Sequence, residues 1–363
     1  MKVAIVLPRN MDFSPEKASS IDLCVRDLAL HSRFKGSTVV LGKATGLSFP
    51  ELEFCRVGHI NERTNSLQFI RELRRVAADV IVVHQHVPTA RAVTKAFPET
   101  PIILHRHGAS KVDGVWRQFR YRRIFKSFAA IISVSSFVRE QLERTYPECG
   151  GKSVIVPNGI DTALWKSAKK QRKLTYVGRA LESKGLFDLL HACAKAKLGD
   201  WKVELILAVT NEEEQTALAH TNTLLKTTGL VASVEMNLSY SDVRTRMSCA
   251  SIVVVPSRER EGFGRVVIEG MSCAAAVIAT RAGGLAEAAG PHALYIPSGD
   301  ENALKDALEL LVNNGELRKG LGSAGRVWAC ETYDIRKVSA HYDKVLERVH
   351  SKLSLAQSPI EVL

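Results

Sequence analysis

Short apolar runs alternate with longer amphipathic segments along the first half of the chain. Runs such as KVAIVLP and DVIVVHQH carry the β-branched residues that favour buried strands, whereas SIDLCVRDLALHS and SFVREQLERTY repeat apolar residues at helical spacing. Continuous apolar strands separated by helices are typical of a parallel sheet covered on both faces. The pattern therefore predicts an α/β domain.

A second series of the same kind begins at KLTYVG (173–178) and continues through VELILAV, SIVVVPS and AVIAT. The intervening stretch VPNGIDTALWKSAKKQRK (156–173) has an Asn-Gly turn signal and no regular period, so it is expected to be a linker. We therefore expect two parallel-sheet domains, at 1–157 and 158–335. Residues 336–363 are expected to form a helix that returns towards the first domain.

The length and composition agree with two ordinary globular domains, since a chain of 363 residues rarely builds one core. The apolar stretch in MKVAIVLPRN is too short for a signal sequence or a membrane span, so a cytoplasmic protein is expected. Seven scattered cysteines without a CxxC pair support neither a disulfide framework nor a zinc site.

The formal charge of +12 is concentrated in the first half. Residues 1–157 hold 24 Lys and Arg against 14 Asp and Glu, an excess of +10. Such a basic surface favours an anionic partner, which would be a nucleic acid, a lipid surface or a phosphorylated acceptor.

Much of this charge lies in the segment VWRQFRYRRIFKSF (115–128), where cations and aromatic residues are mixed. The cations are Arg117, Arg120, Arg122, Arg123 and Lys126. This mixture is typical of helices that lie on an anionic membrane, although an ordinary domain helix with a charged outer face is the alternative. No recognition motif for nucleic acid accompanies it, so nucleic-acid binding is not expected.

The stretch TYVGRALESKG (175–185) follows a predicted strand and opens a helix, with Arg179 and Lys184 on either side of the turn. Two cations beside a helix N-terminus suit a diphosphate, because fixed charges and the helix dipole both favour an anion. A solvated surface pair is the alternative, since most Lys and Arg are exposed.

A second glycine-rich turn, EGFGRVVIE (261–269), places two carboxylates around a helix start. Its glycines allow close backbone approach, and a carboxylate there is a good acceptor for sugar hydroxyls. Glu261 is expected to contact a sugar and Glu269 a ribose. The residues between them that are expected to contact the donor are Phe263, Gly264, Arg265 and Val266. The E-x7-E spacing alone is weak, and its context of strand, turn and helix strengthens it.

Four histidines, at positions 84, 86, 105 and 107, follow predicted strands. His107 is the preferred functional candidate, because it directly precedes Gly108 and a loop. A hydrogen-bonded core or rim role stays open for any of them.

These motifs together, GRALESKG, VVVPSREREGFGRVVIEGMSCAAAVIAT, VPNGID and HRHG, resemble family 4 of the retaining glycosyltransferases over nearly the whole chain. The resemblance implies the GT-B fold, in which two Rossmann-like domains face each other across a cleft. It implies an acceptor-binding first domain and a donor-binding second domain. By position, Arg179 and Lys184 match the cations that hold the diphosphate, Glu261 the acid at the transferred sugar, Glu269 the acid at the ribose, and His107 a histidine near the reaction centre.

The implied activity is retaining transfer of a hexose from a UDP- or GDP-sugar to a glycan or glycolipid. Lipopolysaccharide or another cell-envelope polysaccharide is the expected product, with peripheral contact to an anionic membrane at the inner face of the cytoplasmic membrane. No cofactor and no metal are expected, since the chain has no D-x-D pair. The alternatives are a sugar-nucleotide epimerase of the same fold and a non-catalytic nucleotide-sugar or nucleic-acid binding protein. Many family members have a glycine pair in the loop after the first strand, where this chain reads PRNMDFSPEKASSIDL, and Ser19 and Ser20 are expected to cap the first helix.

Overall fold

The computed structural model describes residues 1–8, 11–58, 65–108 and 115–351. For residues 65 and 115–120 it describes the backbone only. The chain divides into two compact units. The first contains Met1–Gly159 and Ile335–Leu363, and the second contains Ile160–Asp334.

The described strands, numbered in chain order, form one parallel sheet in each unit. The first unit contains β1 (Val3–Val6), β2 (Thr38–Gly42), β3 (Glu53–Arg56), β4 (Val80–His84), β5 (Ile102–Arg106), β6 (Ala130–Ser133) and β7 (Ser153–Ile155). The second contains β8 (Lys173–Arg179), β9 (Lys202–Ala208), β10 (Ala232–Met236), β11 (Ile252–Val255), β12 (Ala276–Thr280) and β13 (Ala293–Ile296).

Helices follow most of these strands. They are α1 (Ser20–His31), α2 (Asn65–Val76), α3 (Val87–Ala96), α4 (Val115–Lys126), α5 (Ser136–Thr145), α6 (Leu186–Lys195), α7 (Glu212–Thr228), α8 (Tyr240–Ser248), α9 (Arg265–Ser272), α10 (Leu285–Ala289), α11 (Glu301–Asn313), α12 (Gly315–Thr332) and α13 (Ile335–His350). Three short 3₁₀ turns are also described, and they are Lys35–Ser37, Pro147–Lys152 and Glu182–Lys184.

The first sheet has the strand order β3-β2-β1-β4-β5-β6-β7. Strand β1 is buried along its whole length, and its residues alternate between two cores. Val3 and Ile5 face the core shared with α1 and α13, whereas Ala4 and Val6 face the core that contains residues of α2 to α5. Two covered faces explain why the strands appear in the sequence as continuous apolar runs.

The first helix begins at a capping box. Ser19 accepts a hydrogen bond from the backbone N–H of Asp22, whose carboxylate accepts one from the backbone N–H of Ser19 at 2.8 Å. The predicted capping is thereby confirmed for Ser19, whereas Ser20 is the first residue of the helix. Helix α13 packs on α1, where the Asp343 carboxylate accepts hydrogen bonds from Ser32 Oγ at 2.5 Å and from the backbone N–H of Arg33 at 3.0 Å.

The second sheet has the order β10-β9-β8-β11-β12-β13. In both sheets the strand order reverses direction beside the first strand of the unit, which is the arrangement of doubly wound α/β folds. Loops at the carboxyl ends of the strands meet at this point. Such folds bind ligands there, so these loops define where functional side chains are expected.

The stretch 156–173, predicted to be a linker, is instead largely packed into the second unit. The Trp165 side chain is 1% exposed, and its indole N–H donates to the Tyr240 hydroxyl at 3.1 Å. The Lys170 ammonium donates to the carbonyls of Ser248 and Ala250 at 3.1 and 2.7 Å, and burial lowers the pKa of Lys170 to about 8. The boundary between the two units nevertheless falls inside the predicted linker, between Gly159 and Ile160. The packing of the residues after it was not predicted, because anchoring by one aromatic side chain and by carbonyl oxygens produces no periodic sequence signal.

Among the helices in the described part of the chain, none combines the length and the apolar character that crossing a bilayer requires.

Candidate functional site

The end of β8 presents the first predicted cation. The Arg179 guanidinium is half exposed, and its Nε–H donates to the carboxylate of Glu214, which is fully buried. Glu214 also accepts hydrogen bonds from the backbone N–H and the hydroxyl of Thr210, at 2.5 and 2.8 Å. Burial alone would raise the pKa of Glu214, but the Thr210 hydrogen bonds and Arg179 outweigh it and lower the pKa. The ion pair holds Arg179 beside the strand end.

Lys184 contacts the glycine-rich loop directly. Its Nζ lies 3.2 Å from Glu261 Oε1 and 2.6 Å from Glu259 Oε1, and its side chain is 20% exposed. Burial disfavours the ammonium, but the two carboxylates outweigh this effect and raise the pKa of Lys184. The structure therefore brings together two residues that are 77 positions apart, both predicted to contact the donor.

The approach of these two segments depends on Gly185. This residue has φ +72°, and a Cβ built on it would lie 2.0 Å from the carbonyl oxygen of Pro256. The carbonyl of Ser183 accepts hydrogen bonds from the backbone N–H groups of Arg258 and Glu259, at 2.9 and 3.1 Å. Only glycine permits the turn 182–185 to lie this close to the strand that precedes the loop.

Backbone hydrogen bonds connect the glycine-rich loop to the neighbouring turn at residues 282–284. The backbone N–H of Glu261 donates to Ala282 O at 3.2 Å, and that of Gly284 donates to Glu261 O at 2.8 Å. Phe263 is 3% exposed and packs edge-on against Tyr333, with ring centroids 5.3 Å apart. The Phe263 side chain is therefore part of the core, and only its backbone is left for the predicted contact with a donor.

Helix α9 begins at Arg265, after its N-cap Gly264 with φ +108°, and it contains an internal ion pair. Arg265 Nε lies 2.9 Å from Glu269 Oε1, and the Tyr240 hydroxyl lies 3.1 Å from the same oxygen. The Arg265 and Glu269 side chains are each 5% exposed, whereas Val266 is half-buried. The sequence indicated Glu269 but not the Tyr240 hydroxyl, which orients its carboxylate from another helix.

In the first unit, three histidines converge at the ends of β4 and β5. His84 Nδ1 lies 2.8 Å from His107 Nε2, and the ring of His105 is 4.6 Å from both other rings. Burial lowers the pKa of His105 to about 3. The pKa values of His84 and His107 lie well below the ordinary range, mainly because of burial and to a smaller extent because neighbouring groups repel a positive charge on the ring. All three are therefore neutral imidazoles at pH 7. The sequence singled out His107 alone.

The predicted basic surface is described only in part. The side chains of Arg117 and Arg120 lie outside the described residues, whereas Arg122, Arg123 and Lys126 are exposed on α4. Phe125 and Phe128, which contributed to the predicted membrane-binding pattern, are 1% and 2% exposed and belong to the core. The described part of α4 therefore presents cations outward and aromatic residues inward.

Comparisons with known proteins agree with this architecture. Residues 161–328 match the model of glycosyl transferases group 1, and residues 46–164 match that of glycosyltransferase family 4. An uncharacterized glycosyltransferase of Methanocaldococcus jannaschii is 28% identical over 68% of this chain and 69% of its own length. A lipopolysaccharide 1,2-N-acetylglucosaminetransferase of Salmonella typhimurium is 24% identical over 57% of this chain and 56% of its own length.

A solved structure shares the fold. Anabaena HepE, crystallised with UDP-glucose, superposes with a TM-score of 0.78 at 16% identity, over 96% of this chain and 100% of that chain. The predicted fold is thereby confirmed. Two glycosyltransferase models account for residues 46–328 between them, and the chain belongs to the glycosyltransferases of the GT-B fold, with a family 4 region followed by a group 1 region.

Proposed function

We propose that this glycosyltransferase moves a hexose from a nucleotide diphosphate sugar, UDP- or GDP-linked, to a glycan or glycolipid with retention of configuration. The observation that carries the proposal is the 3.2 Å contact between Lys184 Nζ and Glu261 Oε1 at the carboxyl ends of parallel strands. This position is where doubly wound sheets bind nucleotides, and it offers a cation and a hydroxyl acceptor side by side.

The reaction requires the bond between the anomeric carbon and the diphosphate oxygen to break while the acceptor oxygen bonds to the same carbon. Negative charge grows on the departing diphosphate, and Arg179 and Lys184 stabilise it there. The acceptor proton passes to an oxygen of the leaving phosphate. This route needs neither a protein base nor a metal, and we propose metal-independent transfer.

Two carboxylates orient the donor in this scheme. Glu261 accepts hydrogen bonds from the transferred sugar, and Glu269 accepts them from the ribose. Glu269 is held by Arg265 and Tyr240, so its orientation is fixed before a donor arrives. Backbone groups of residues 263–266 contact the donor phosphates at the start of α9, and a catalytic role for His107 is part of the same proposal.

The names of the compared proteins support the donor and the acceptor class. One is a lipopolysaccharide transferase, and the other was crystallised with UDP-glucose. We propose that this chain also acts in lipopolysaccharide or other cell-envelope polysaccharide synthesis. We further propose that the exposed cations Arg122, Arg123 and Lys126 bring it to an anionic membrane on the cytoplasmic side.

A donor panel tests the proposal. Thermal unfolding is followed with UDP-, GDP- and ADP-sugars, since a ligand at 100 times its Kd adds about 2.7 kcal/mol of apparent stability. The stabilising donor is then incubated with candidate acceptors, and NMR reports the anomeric configuration of the product, with EDTA added in a parallel sample. An inverted product or loss of transfer in EDTA contradicts the mechanism. Release of an epimerised free nucleotide sugar identifies an epimerase instead.

Membrane contact is tested separately by sedimentation with vesicles. The wild type is expected to bind vesicles that contain anionic lipid and not neutral vesicles. Replacing Arg122, Arg123 and Lys126 together by Glu is expected to abolish this binding, whereas Lys226→Glu on α7 leaves it unchanged. Equal sedimentation of the wild type and the triple variant argues against α4 as the contact surface.

A further inference from the structure

The carboxyl ends of β4 and β5 place three histidine side chains on one face of the first sheet. His84 and His105 are direct neighbours in the register of the two strands, so both side chains point to the same face. His107 follows two residues after His105, and its ring lies 4.6 Å from that of His105 and 5.1 Å from that of His84. One ring nitrogen from each residue lies within 4.8 Å of the others.

Several of these nitrogens have no protein partner among the described residues. They are His84 Nε2 and both ring nitrogens of His105. His84 and His105 are each only 1% exposed, so bulk water cannot readily supply the missing hydrogen bonds to these nitrogens. A buried polar group without a partner costs about 1–3 kcal/mol, and proteins normally avoid that cost. The arrangement points to a ligand that accepts electron pairs from imidazole nitrogens.

The backbone around the histidines is fixed in an uncommon conformation. Gln85 has φ +57°, and its side-chain oxygen accepts a hydrogen bond from the backbone N–H of His107 at 2.9 Å. Arg106 donates from its guanidinium to the carbonyl oxygens of Gln85 and Gly108, at 2.5 and 2.9 Å. Backbone strain of this kind is concentrated at functional sites, because it holds side chains in position.

We propose that His84, His105 and His107 form a binding site for a divalent transition-metal ion, with Zn²⁺ as the expected ion. Imidazole nitrogens suit zinc, and three histidines with a fourth position left for water or substrate are a known zinc ligand set. The site lies within the first unit, and metal binding there requires neither donor nor acceptor, but it shares His107 with the catalytic role proposed above.

The distances define what binding requires. Two ligands at about 2.1 Å from a tetrahedral zinc ion lie about 3.4 Å apart. His84 Nδ1 and His107 Nε2 are now closer than that, at 2.8 Å, and share a hydrogen bond. Binding therefore requires the shared proton to move to the other ring nitrogen of the histidine that carries it, and it requires the His105 ring to move inward. The buried Arg106 guanidinium opposes a second positive charge, so affinity below that of structural zinc sites is expected.

Cobalt is the direct probe, because tetrahedral Co²⁺ with nitrogen ligands absorbs visible light strongly. Purified full-length protein, treated with a chelator and dialysed, is titrated with CoCl₂ and then with ZnCl₂, and calorimetry gives the stoichiometry and Kd. One equivalent of Co²⁺ with tetrahedral bands is expected, and Zn²⁺ should displace it.

Two histidine variants and one control locate the site. His105→Asn and His107→Asn are each expected to weaken binding by at least about 10–100-fold, which is the loss typical even of residues that only support metal ligands. His350→Asn, an exposed histidine on α13 of the same unit, should leave binding unchanged. Circular dichroism checks that each variant is folded.

Two outcomes overturn the proposal. One is the absence of saturable Co²⁺ and Zn²⁺ binding in the wild type, and the other is binding that survives both substitutions in folded protein. In either case the contact between His84 and His107 is a hydrogen bond that orients His107, and no metal is involved. Because the measurement is made without donor or acceptor, failure of the metal site and failure of the proposed transfer reaction are distinguished.

Discussion

Replacing Lys184 tests the proposed donor site most directly. In Lys184→Met the ammonium is lost, while the length of the side chain is nearly kept. If Lys184 stabilises the departing diphosphate, its loss removes about 3–4 kcal/mol of transition-state stabilisation, which corresponds to about 10²–10³-fold in kcat. Lys184→Arg keeps a positive charge and should retain a larger share of the activity.

The expected effect on folding is much smaller. Glu259 is 46% exposed and Glu261 is 19% exposed, so both carboxylates remain partly hydrated without the ammonium. Partly exposed ion pairs contribute about 0–1 kcal/mol each to the free energy of unfolding, and we expect the variant to lose at most about 2 kcal/mol. A large loss of rate with a small loss of stability therefore indicates a role in transfer.

Initial rates at saturating donor and thermal unfolding with and without UDP measure the two effects. Lys195→Met is the matched control. Lys195 is the last residue of helix α6, and its Nζ also pairs with a carboxylate, that of Glu301 at 2.9 Å, but neither residue belongs to the glycine-rich loop. The control should keep the wild-type rate. A Lys184→Met enzyme within about tenfold of the wild-type kcat and with unchanged UDP stabilisation refutes the role assigned to Lys184.

Three further predictions concern folding. In denaturant titrations, Gly229→Ala should lower the free energy of unfolding by about 1 kcal/mol, and Gly185→Ala should lower it by well over that amount. Both glycines have positive φ, but of the two only Gly185 has backbone in the way of a Cβ, at 2.0 Å. Equal losses would exclude the clash. Trp165→Ala should cost about 3–5 kcal/mol in the same assay, because it empties a buried site in the second unit; a loss below about 1 kcal/mol would mean that the segment is not packed there. Burial raises the pKa of Asp22 from 3.8 to about 6, so the folded state binds a proton on this carboxyl group more tightly than the unfolded state does. As the pH falls from about 6 to about 4, protonation of Asp22 should therefore raise the free energy of unfolding by up to about 3 kcal/mol. In Asp22→Asn this rise should be absent, and an unchanged pH profile would contradict the burial argument.

Several elements escaped prediction from the sequence because their signals are weak or compete with one another. Strand β3 lies at the edge of its sheet and has exposed or half-buried residues only, so EFCR lacks the continuous apolar character of the central strands. Helix α3 begins directly after the apolar run of β4, with His86 as its N-cap and a proline in its first turn. The change from strand to helix within a few residues leaves too short a window for either period to stand out.

The candidate site also contains residues that the sequence predicted and residues that it did not. The turn containing Arg179 and Lys184 and the loop 261–269 were evident, because glycine, charge and a preceding apolar strand are local signals. The partners of these residues were not evident, since Glu214 and Tyr240 carry no mark that distinguishes them from other polar residues on helices. The convergence of His84, His105 and His107 was not predicted, because the sequence shows that these residues follow strands but not that β4 and β5 are neighbours.

The sequence by itself determined the alternation of strands and helices, the cap of α1, and the positions of the two glycine-rich turns, because each depends on residues within a few positions of one another. Only the tertiary structure decided that Lys184 contacts Glu261, that Tyr240 orients Glu269, and that His84 meets His107. These contacts join residues that are 23 to 77 positions apart, and strand order brings them together. The physical reason is that side-chain periodicity specifies which face of an element is buried, whereas the neighbour of each strand depends on how all the buried faces pack at once.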